Sequence, residues 1–509
     1  MEHQKFALRL LVILFSVAII VFMGETAWEF LRAVDPDTGA PLTLSQLQVT
    51  PTMMRAATSA YSRAYNNLLA LLLTFISLAI PLTANLYTPK LIEIFIRDRL
   101  NLTVLCTFAI MAAHSLLAVT LSFDKWTPQL PFWVDSVGAL LGWLVLMPYY
   151  FYVLSFIDPL TIIKRVHLSL MHELHDATCS KYPVRVAQQR VNLRIINLGS
   201  MLQRSVDRAD RDVAFDAIRA HTLDLARVRA IKPRLPAEFF QIDNRTMVGM
   251  SRPATEMLSR DHIWMEHRIA SQLVLAFKTA LNKMPEGVSP LVHAVKNAAH
   301  EEARLGNEPV FRLLVRTLNS FLREAIKKKE NAQVYAVVYN YKSLIRRLIE
   351  EDRADAVVEL TQHQRYYAEF ARSLGLPFSY ELISYELAEL AEIAYERKST
   401  AAAALLDAVL EFRGVEQSVG LVKSRVVLAG GLLEHGFAAE LKRVEQSLRD
   451  TSRAVLQEAR DRIAGTLDPV FWEVTDRGIN MDYVPAPRRA MVCEFIDRVS
   501  RSAEQPSGA

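Results

Sequence analysis

Two histidines and a cysteine, His172, His175 and Cys179, follow one another at spacings of three and four residues. On a helix that spacing sets all three on one face. Imidazole and thiolate together form a donor set that suits Zn²⁺. A structural zinc site takes four ligands, however, and one helix here offers three. The chain has no Cys-x-x-Cys pair, and His172-Glu173-Leu174-His175 is one residue short of the His-Glu-x-x-His spacing of zinc proteases. The competing reading is a helix whose imidazoles pack or touch lipid headgroups. No metal and no cofactor is assigned, and the three residues stand as weak metal candidates.

His114 is the other residue that invites chemistry. It falls near the middle of a long apolar run, where an ionisable group is costly to bury and is a functional candidate by default. Neutral imidazole is cheaper to bury than a charge. The partners expected for it are Ser77, Thr83 or Asn85 on the preceding apolar run. No acidic or basic side chain is expected to accompany it, which counts against a proton pump. Phosphate loops, dinucleotide loops and the Gly-x-Ser-x-Gly elbow are absent, and 17 glycines in 509 residues leave little room for such loops. No catalytic residue is assigned and an enzyme is not expected.

The elements that must position these residues are apolar runs and helices. Phe6–Met23, Leu68–Leu86, Leu102–Phe123 and Val134–Ile157 are each long enough to cross a bilayer, which takes about 20 residues at about 1.5 Å of rise. Lys5 and Arg9 precede the first run, Lys90, Arg97 and Arg99 crowd the loop after the second, and Lys164 and Arg165 follow the fourth. The loop Asp124–Trp133 offers only Lys125. Short basic loops stay cytoplasmic, so both termini are expected there and the loop 24–67 outside. Trp28, Trp126 and Trp133 fall at the outer ends, as an aromatic belt places them. The first run is longer than a signal-peptide core and reads as an uncleaved anchor. Pro81 and Pro148 are expected to interrupt the second and fourth spans.

Between the second and third runs, Thr88-Pro89-Lys90-Leu91-Ile92-Glu93-Ile94-Phe95-Ile96-Arg97-Asp98 alternates apolar and charged residues at helical spacing. Pro89, Lys90, Arg97, Asp98 and Arg99 would form a membrane-interface elbow, with Leu91, Ile92, Phe95 and Ile96 toward lipid. Together with its flanking helices, Val49–Ser122, this stretch resembles the core of a bacterial family of uncharacterised integral membrane proteins, domain of unknown function 2254. That family carries Ser-Pro-Arg-Leu-Leu-x-x-Phe-x-x-Asp here; this chain has Thr and Lys at the Ser and Arg positions. The resemblance implies membrane location and attaches no activity.

The net charge of +4 and pI near 8.8 are a small excess spread among many acids, which argues against a nucleic-acid partner. The excess suits membrane lipid, where each basic side chain near an anionic surface contributes roughly 1 kcal/mol. Three cysteines are too few for a disulfide framework. From Asp158 onward the pattern is helical. Asp158-Pro159, Ser289-Pro290 and Asp468-Pro469 read as helix starts. In Val310–Ile326, Leu314, Leu318, Phe321 and Leu322 recur at helical spacing, and Lys327, Lys328 and Lys329 close the helix. Helix–turn–helix units centred near Glu350, Glu396 and Glu434 suggest an irregular hairpin repeat.

The expected fold is therefore all-α: a four-helix transmembrane region over 1–157, a juxtamembrane helical region over 158–330, a tetratricopeptide-like helical-hairpin domain over 331–500 and a disordered tail over 501–509. An irregular helical bundle is the alternative for the soluble part. Tyrosines 335, 339, 341, 366, 367, 380, 385 and 395 concentrate in the hairpin region, where they would form core or line a peptide groove. The functional expectation is a multi-pass protein of the bacterial inner membrane that acts as a scaffold, binding a cytoplasmic protein through its helical domain. Two alternatives are a channel or transporter assembled from several copies of the chain, with His114 lining it, and a metal-dependent sensor or enzyme at His172, His175 and Cys179.

Overall fold

The computed structural model describes residues 50–86, 99–122, 129–242, 247, 249–470 and 477–502. These are all-helical, with one isolated antiparallel bridge between Val470 and Ile479. The chain divides into two units, Met1–Arg165 and Val166–Ala509.

In the first unit three helices pack on one another: α1 (Pro51–Leu86), α2 (Arg99–Thr120) and α3 (Gln129–Ile157). Helix α1 starts with proline at its first position, so half of it lies in the stretch 24–67 expected to be an outer loop. The reason is a stripe that continues upstream of the apolar run: Met54, Thr58, Tyr65, Leu68 and Leu72 are all buried on one face. At 36 residues α1 is longer than a hydrocarbon core about 30 Å thick requires. Its inner stripe meets Val104, Phe108 and Ala112 of α2 and Leu146, Tyr149 and Val153 of α3 in one cluster. Gly138 makes the close approach possible: a Cβ there would lie 2.5 Å from the Tyr65 hydroxyl.

The expectation of four spans is supported for two. Among the described residues, Leu100–Thr120 and Gln129–Val153 are long and apolar enough to cross a membrane. Only 28% and 24% of their windows are buried, so large apolar side chains such as Ile110, Leu117, Leu140 and Trp143 face outward. The run 6–23, the elbow from Pro89 to Asp98 and the tail 503–509 lie outside the described residues, as do the side chains of 78–86 and of Arg99. Helix α3 runs unbroken through Pro148, and α1 through position 81, where interruptions were expected. Neighbouring helices can compensate the hydrogen bond such a proline removes.

Helix α4 (Pro159–Thr178) opens with the predicted device: the Thr161 backbone N–H and hydroxyl donate to Asp158 Oδ2 at 3.2 and 2.7 Å. Of the two similar dipeptides, the first again marks a helix start, within two residues, and the second does not. Ser289-Pro290 lies inside a helix that starts at Val288, and Asp468 accepts from the Val470 N–H at 2.9 Å in a turn without a helix.

In the second unit the helices are α5 (Val184–Asp207), α6 (Arg211–Ile231), α7 (Arg252–Arg260), α8 (Trp264–Lys283), α9 (Val288–Arg304), α10 (Glu308–Lys328), α11 (Asn331–Glu350), α12 (Ala354–Ser373), α13 (Pro377–Glu396), α14 (Ala402–Leu410), α15 (Val419–Glu434), α16 (Ala438–Ser447), α17 (Arg453–Gly465) and α18 (Ala486–Ser502). They pack in two rows. Helices α6, α9, α11, α13 and α15 stack in succession as one row, and α5, α8, α10, α12 and α14 as the other. The rows run through position 330 without a break. Helices α17 and α18 close the end against α15. The stripe predicted in α10 is core: Leu314, Leu318, Phe321 and Leu322 are fully buried, and Phe321 stacks on Phe277 of α8, its neighbour in the row, at 4.2 Å. Of the tyrosines, 341, 367, 380, 385 and 395 are core, while Tyr366 is exposed.

One turn recurs between helices. At Asp352, Lys398 and Gly436 the backbone takes positive φ, and the next residue's N–H donates back across the turn: Arg353 to Leu348 O, Ser399 to Ala394 O, and Phe437 to Leu432 O, each at 2.9 Å. These helix-ending turns sit at the three units whose repeat is visible in the sequence. Lys398 is exposed and holds φ of 56° without the freedom of glycine. Lys398→Gly is therefore expected to raise stability by about 1 kcal/mol, read as an increase in the urea midpoint at constant slope.

Candidate functional site

The residues nominated by sequence are brought together only in part. On α4, Cys179 Sγ and His175 Nε2 are 3.9 Å apart, but His172 Nε2 lies 3.6 Å from Asp176. Lys181 bonded to Asp176 holds that carboxyl below its ordinary range. Among the described residues no group of three or more His, Cys, Asp or Glu side chains is placed to hold a metal.

His114 finds a partner that sequence reading missed. Its Nδ1 lies 2.8 Å from Asp135 Oδ1 on α3, and the Asp135 side chain is fully buried. The Tyr65 hydroxyl donates to the main-chain oxygen of Asp135 at 2.9 Å. Asp135 Oδ2 has no hydrogen-bond partner among the described residues. The expected partners on the second run do not serve: Ser77 is exposed, and the side chains of Thr83 and Asn85 lie outside the described residues. His114 stands six residues before the end of α2 and Asp135 six after the start of α3. The end of α2 and the start of α3 therefore bring the two side chains to the same level of the helix pair. Asp135 was available in the sequence, at the second position of the fourth apolar run, but its pairing depends on where the helices end.

The most elaborate polar site lies on the row of α11, α13 and α15. Helix α13 carries Glu381, Tyr385, Glu386, Glu389 and Glu392 in three successive turns. Each meets a partner from a different element. Arg477 Nη1 donates to Glu386 Oε1 at 2.8 Å, and its Nη2 reaches Glu389. Its guanidinium stands 5.3 Å from the Tyr385 ring centroid. Lys342 of α11 meets Glu386 at 2.5 Å and also pairs with Glu389. Arg488 donates to Glu392 at 2.6 Å and to Glu434 at 2.8 Å. The Ser418 hydroxyl, which caps α15, donates to Glu381 at 2.5 Å. Gly431 of α15 leaves space for Glu392, since a Cβ there would lie 2.5 Å from its carboxyl carbon.

The segment 477–485 thus crosses the face of α13 without helix, turning at Gly478 and again over Asn480–Tyr483, where the Tyr483 N–H donates to the Asn480 oxygen at 3.1 Å. The Tyr385 hydroxyl donates to the Met481 main-chain oxygen, and Lys423 of α15 pairs with Asp482. Burial raises the Tyr385 phenol pKa, so it stays a donor. Burial also lowers the Lys342 pKa while Glu386 works to raise it, and burial raises that of Glu392 against the opposing pull of Arg488. Beside the segment lies a cavity of about 600 Å³. Its walls include Asn331 and Tyr335 of α11, Phe378 and Glu381 of α13, Lys423 of α15, and Met481. The first turns of α9, α11, α13 and α15 converge on it.

No family profile, curated protein or solved structure matches the chain.

Glu386, Glu389 and Glu392 are paired with guanidinium and ammonium groups, Glu381 accepts from the Ser418 hydroxyl, the Tyr385 phenol bonds a main-chain carbonyl, and the cavity wall mixes aromatic and polar surface. The acidic face was not singled out from the sequence. The signal was there in the five glutamates of an otherwise apolar helix, with Glu386 and Glu389 three residues apart and so on neighbouring turns.

Proposed function

We propose that this chain is a membrane-anchored scaffold whose cytoplasmic helical-hairpin solenoid binds a non-helical segment of a protein partner, and that it is not an enzyme. The two-row packing supports the solenoid reading, since each helix is buried by its neighbours in the row and a continuous inner face is left for a ligand. The outward apolar surfaces of α2 and α3 support the anchor, because apolar area of that extent in water would be an association site. A multi-pass placement in a bacterial inner membrane with both termini cytoplasmic, and kinship of 49–122 with the family named above, complete the proposal.

The observation that carries it is the chain's own segment 477–482, seated across α13 through a main-chain hydrogen bond and ion pairs at both ends. A face that holds one non-helical segment in this manner has the chemistry to hold another. A photo-crosslinking residue in place of Phe378, on the cavity wall, should give one discrete adduct with a cytoplasmic protein in living cells. The same residue in place of Leu275, exposed on α8 of the other row, should give none. Equal labelling at both positions would remove the groove as the binding site.

The His114–Asp135 pair favours a second reading, a channel or transporter formed by several copies. A fully buried carboxylate oxygen without a partner among the described residues, beside an imidazole, is an arrangement that ion and proton paths use. It predicts flux in proteoliposomes that falls at least tenfold in Asp135→Asn and in His114→Ala. Absence of flux in the unaltered protein would end this reading and leave the pair a structural link between α2 and α3.

A further inference from the structure

We infer that the partner segment carries an arginine followed five residues later by an aspartate, and that it binds by replacing the chain's own Arg477–Asp482 on α13. This rests on the peptide-groove reading above and adds the chemistry of the occupant. The spacing is read from what the groove already holds. Arg477 supplies a forked donor to two carboxylates, Glu386 and Glu389, and stacks on Tyr385. Lys342 already meets the same two carboxylates as an ammonium; what a guanidinium adds is a planar fork that also stands over the Tyr385 ring. Asp482 answers the single cation of Lys423 at the other end. Between them the Met481 main-chain oxygen accepts from Tyr385, whereas Asn480 bonds within its own stretch of chain, its N–H donating to the Pro469 oxygen and its side chain accepting from the Asp482 N–H. Gly478, with φ of 66°, lets the chain turn just after the arginine.

Exchange is favoured by the groove's own chemistry. Every contact the segment makes with α13 and α15 is a pair that an incoming segment of the same spacing would restore, so no carboxylate is left unpaired at the end of the exchange. The cavity of about 600 Å³ beside Met481 and Asp482 offers additional wall that the internal segment leaves unfilled, which a longer partner segment could cover. A partner therefore gains over the internal segment through Tyr335 and Phe378. The occupant argued here is a segment of a different protein; a second copy of this chain is the competing occupant, and the experiment separates the two.

The probe is a fluorescein-labelled peptide with the sequence of residues 477–488, titrated by anisotropy into the full chain in detergent. The Arg477→Lys/Asp482→Asn chain keeps the groove intact and weakens only the internal segment. It is expected to bind the peptide at least tenfold more tightly than the unaltered chain. A peptide with glutamate at the position of Arg477 should lose at least tenfold in affinity. If the double variant loses helicity by far-UV circular dichroism, Asp482→Asn alone serves with the same expected order. No binding by a variant of intact helicity, or equal binding of the glutamate peptide, would overturn the inference. So would dimers of the double variant that the peptide fails to dissolve, since they would assign the groove to a second copy. Peptide binding without a cellular adduct at position 378 would sink the scaffold reading alone. An adduct with a partner lacking the Arg-x-x-x-x-Asp spacing would sink this inference alone.

Discussion

Arg477→Ala is expected to lower the unfolding free energy of the helical unit by about 3 kcal/mol, the cost of leaving a buried charge uncompensated. The Arg477 side chain is 9% exposed and that of Glu386 only 3%, so water can replace little of the lost contact. After the substitution Lys342 must serve both Glu386 and Glu389. Two carboxylates then share one ammonium, and one negative charge is left over. Adding Glu386→Gln removes that excess and should return about half of the loss, whereas Glu386→Gln alone should itself destabilise by leaving an excess of positive charge. The four proteins form a double-mutant cycle read by urea denaturation, and a coupling energy near zero would show that the cluster is exposed enough to be solvated.

His221→Met is expected to make the helical unit less sensitive to acid. His221 lies fully buried in α6, and neither ring nitrogen has a partner among the described residues. Burial alone pushes its pKa down to about 3. Below its ordinary value of 6.5 the unfolded chain gains a proton at this site that the folded chain refuses until about pH 3. Its stabilising contribution is therefore complete above pH 6.5 and is lost as the pH falls toward 3. Between about pH 6 and about pH 4 the unaltered protein should lose roughly 1.4 kcal/mol per pH unit relative to His221→Met. The difference between the two proteins is the proper readout. Asp224, one turn away on α6, has its pKa raised by burial despite its bond to His167, and it acts in the opposite sense in both proteins. Parallel pH profiles for the two would mean that His221 is protonated in the fold.

Such features divide sharply by how far along the chain their cause lies. The cap at Asp158, the buried stripe of α10 and the three helix-ending turns near Asp352, Lys398 and Gly436 arise within a few residues. Each was legible, because helix capping and amphipathic period are local properties of the chain. The same local signal placed the start of α9 within two residues at Ser289-Pro290 and misled at Asp468-Pro469, where no helix follows at Pro469 or Val470. The start of α1 at Pro51 was missed for a related reason. Its buried face includes Thr58 and Tyr65, polar residues that a hydropathy run does not count.

The sequence by itself determined that the described chain is helical, where three of its helices turn, and that α2 and α3 have the length and apolarity to cross a membrane. It also singled out His114 as a costly residue. Only the tertiary structure decided what His114 meets, because its pairing with Asp135 depends on helix ends that place both at one level of the helix pair. Only the tertiary structure made a site of α13, since Arg477 and Glu386 stand 91 residues apart and no local pattern links them. Period and capping are written over a few residues, whereas the neutralisation of a buried charge depends on whichever distant side chain the packing brings within about 3 Å.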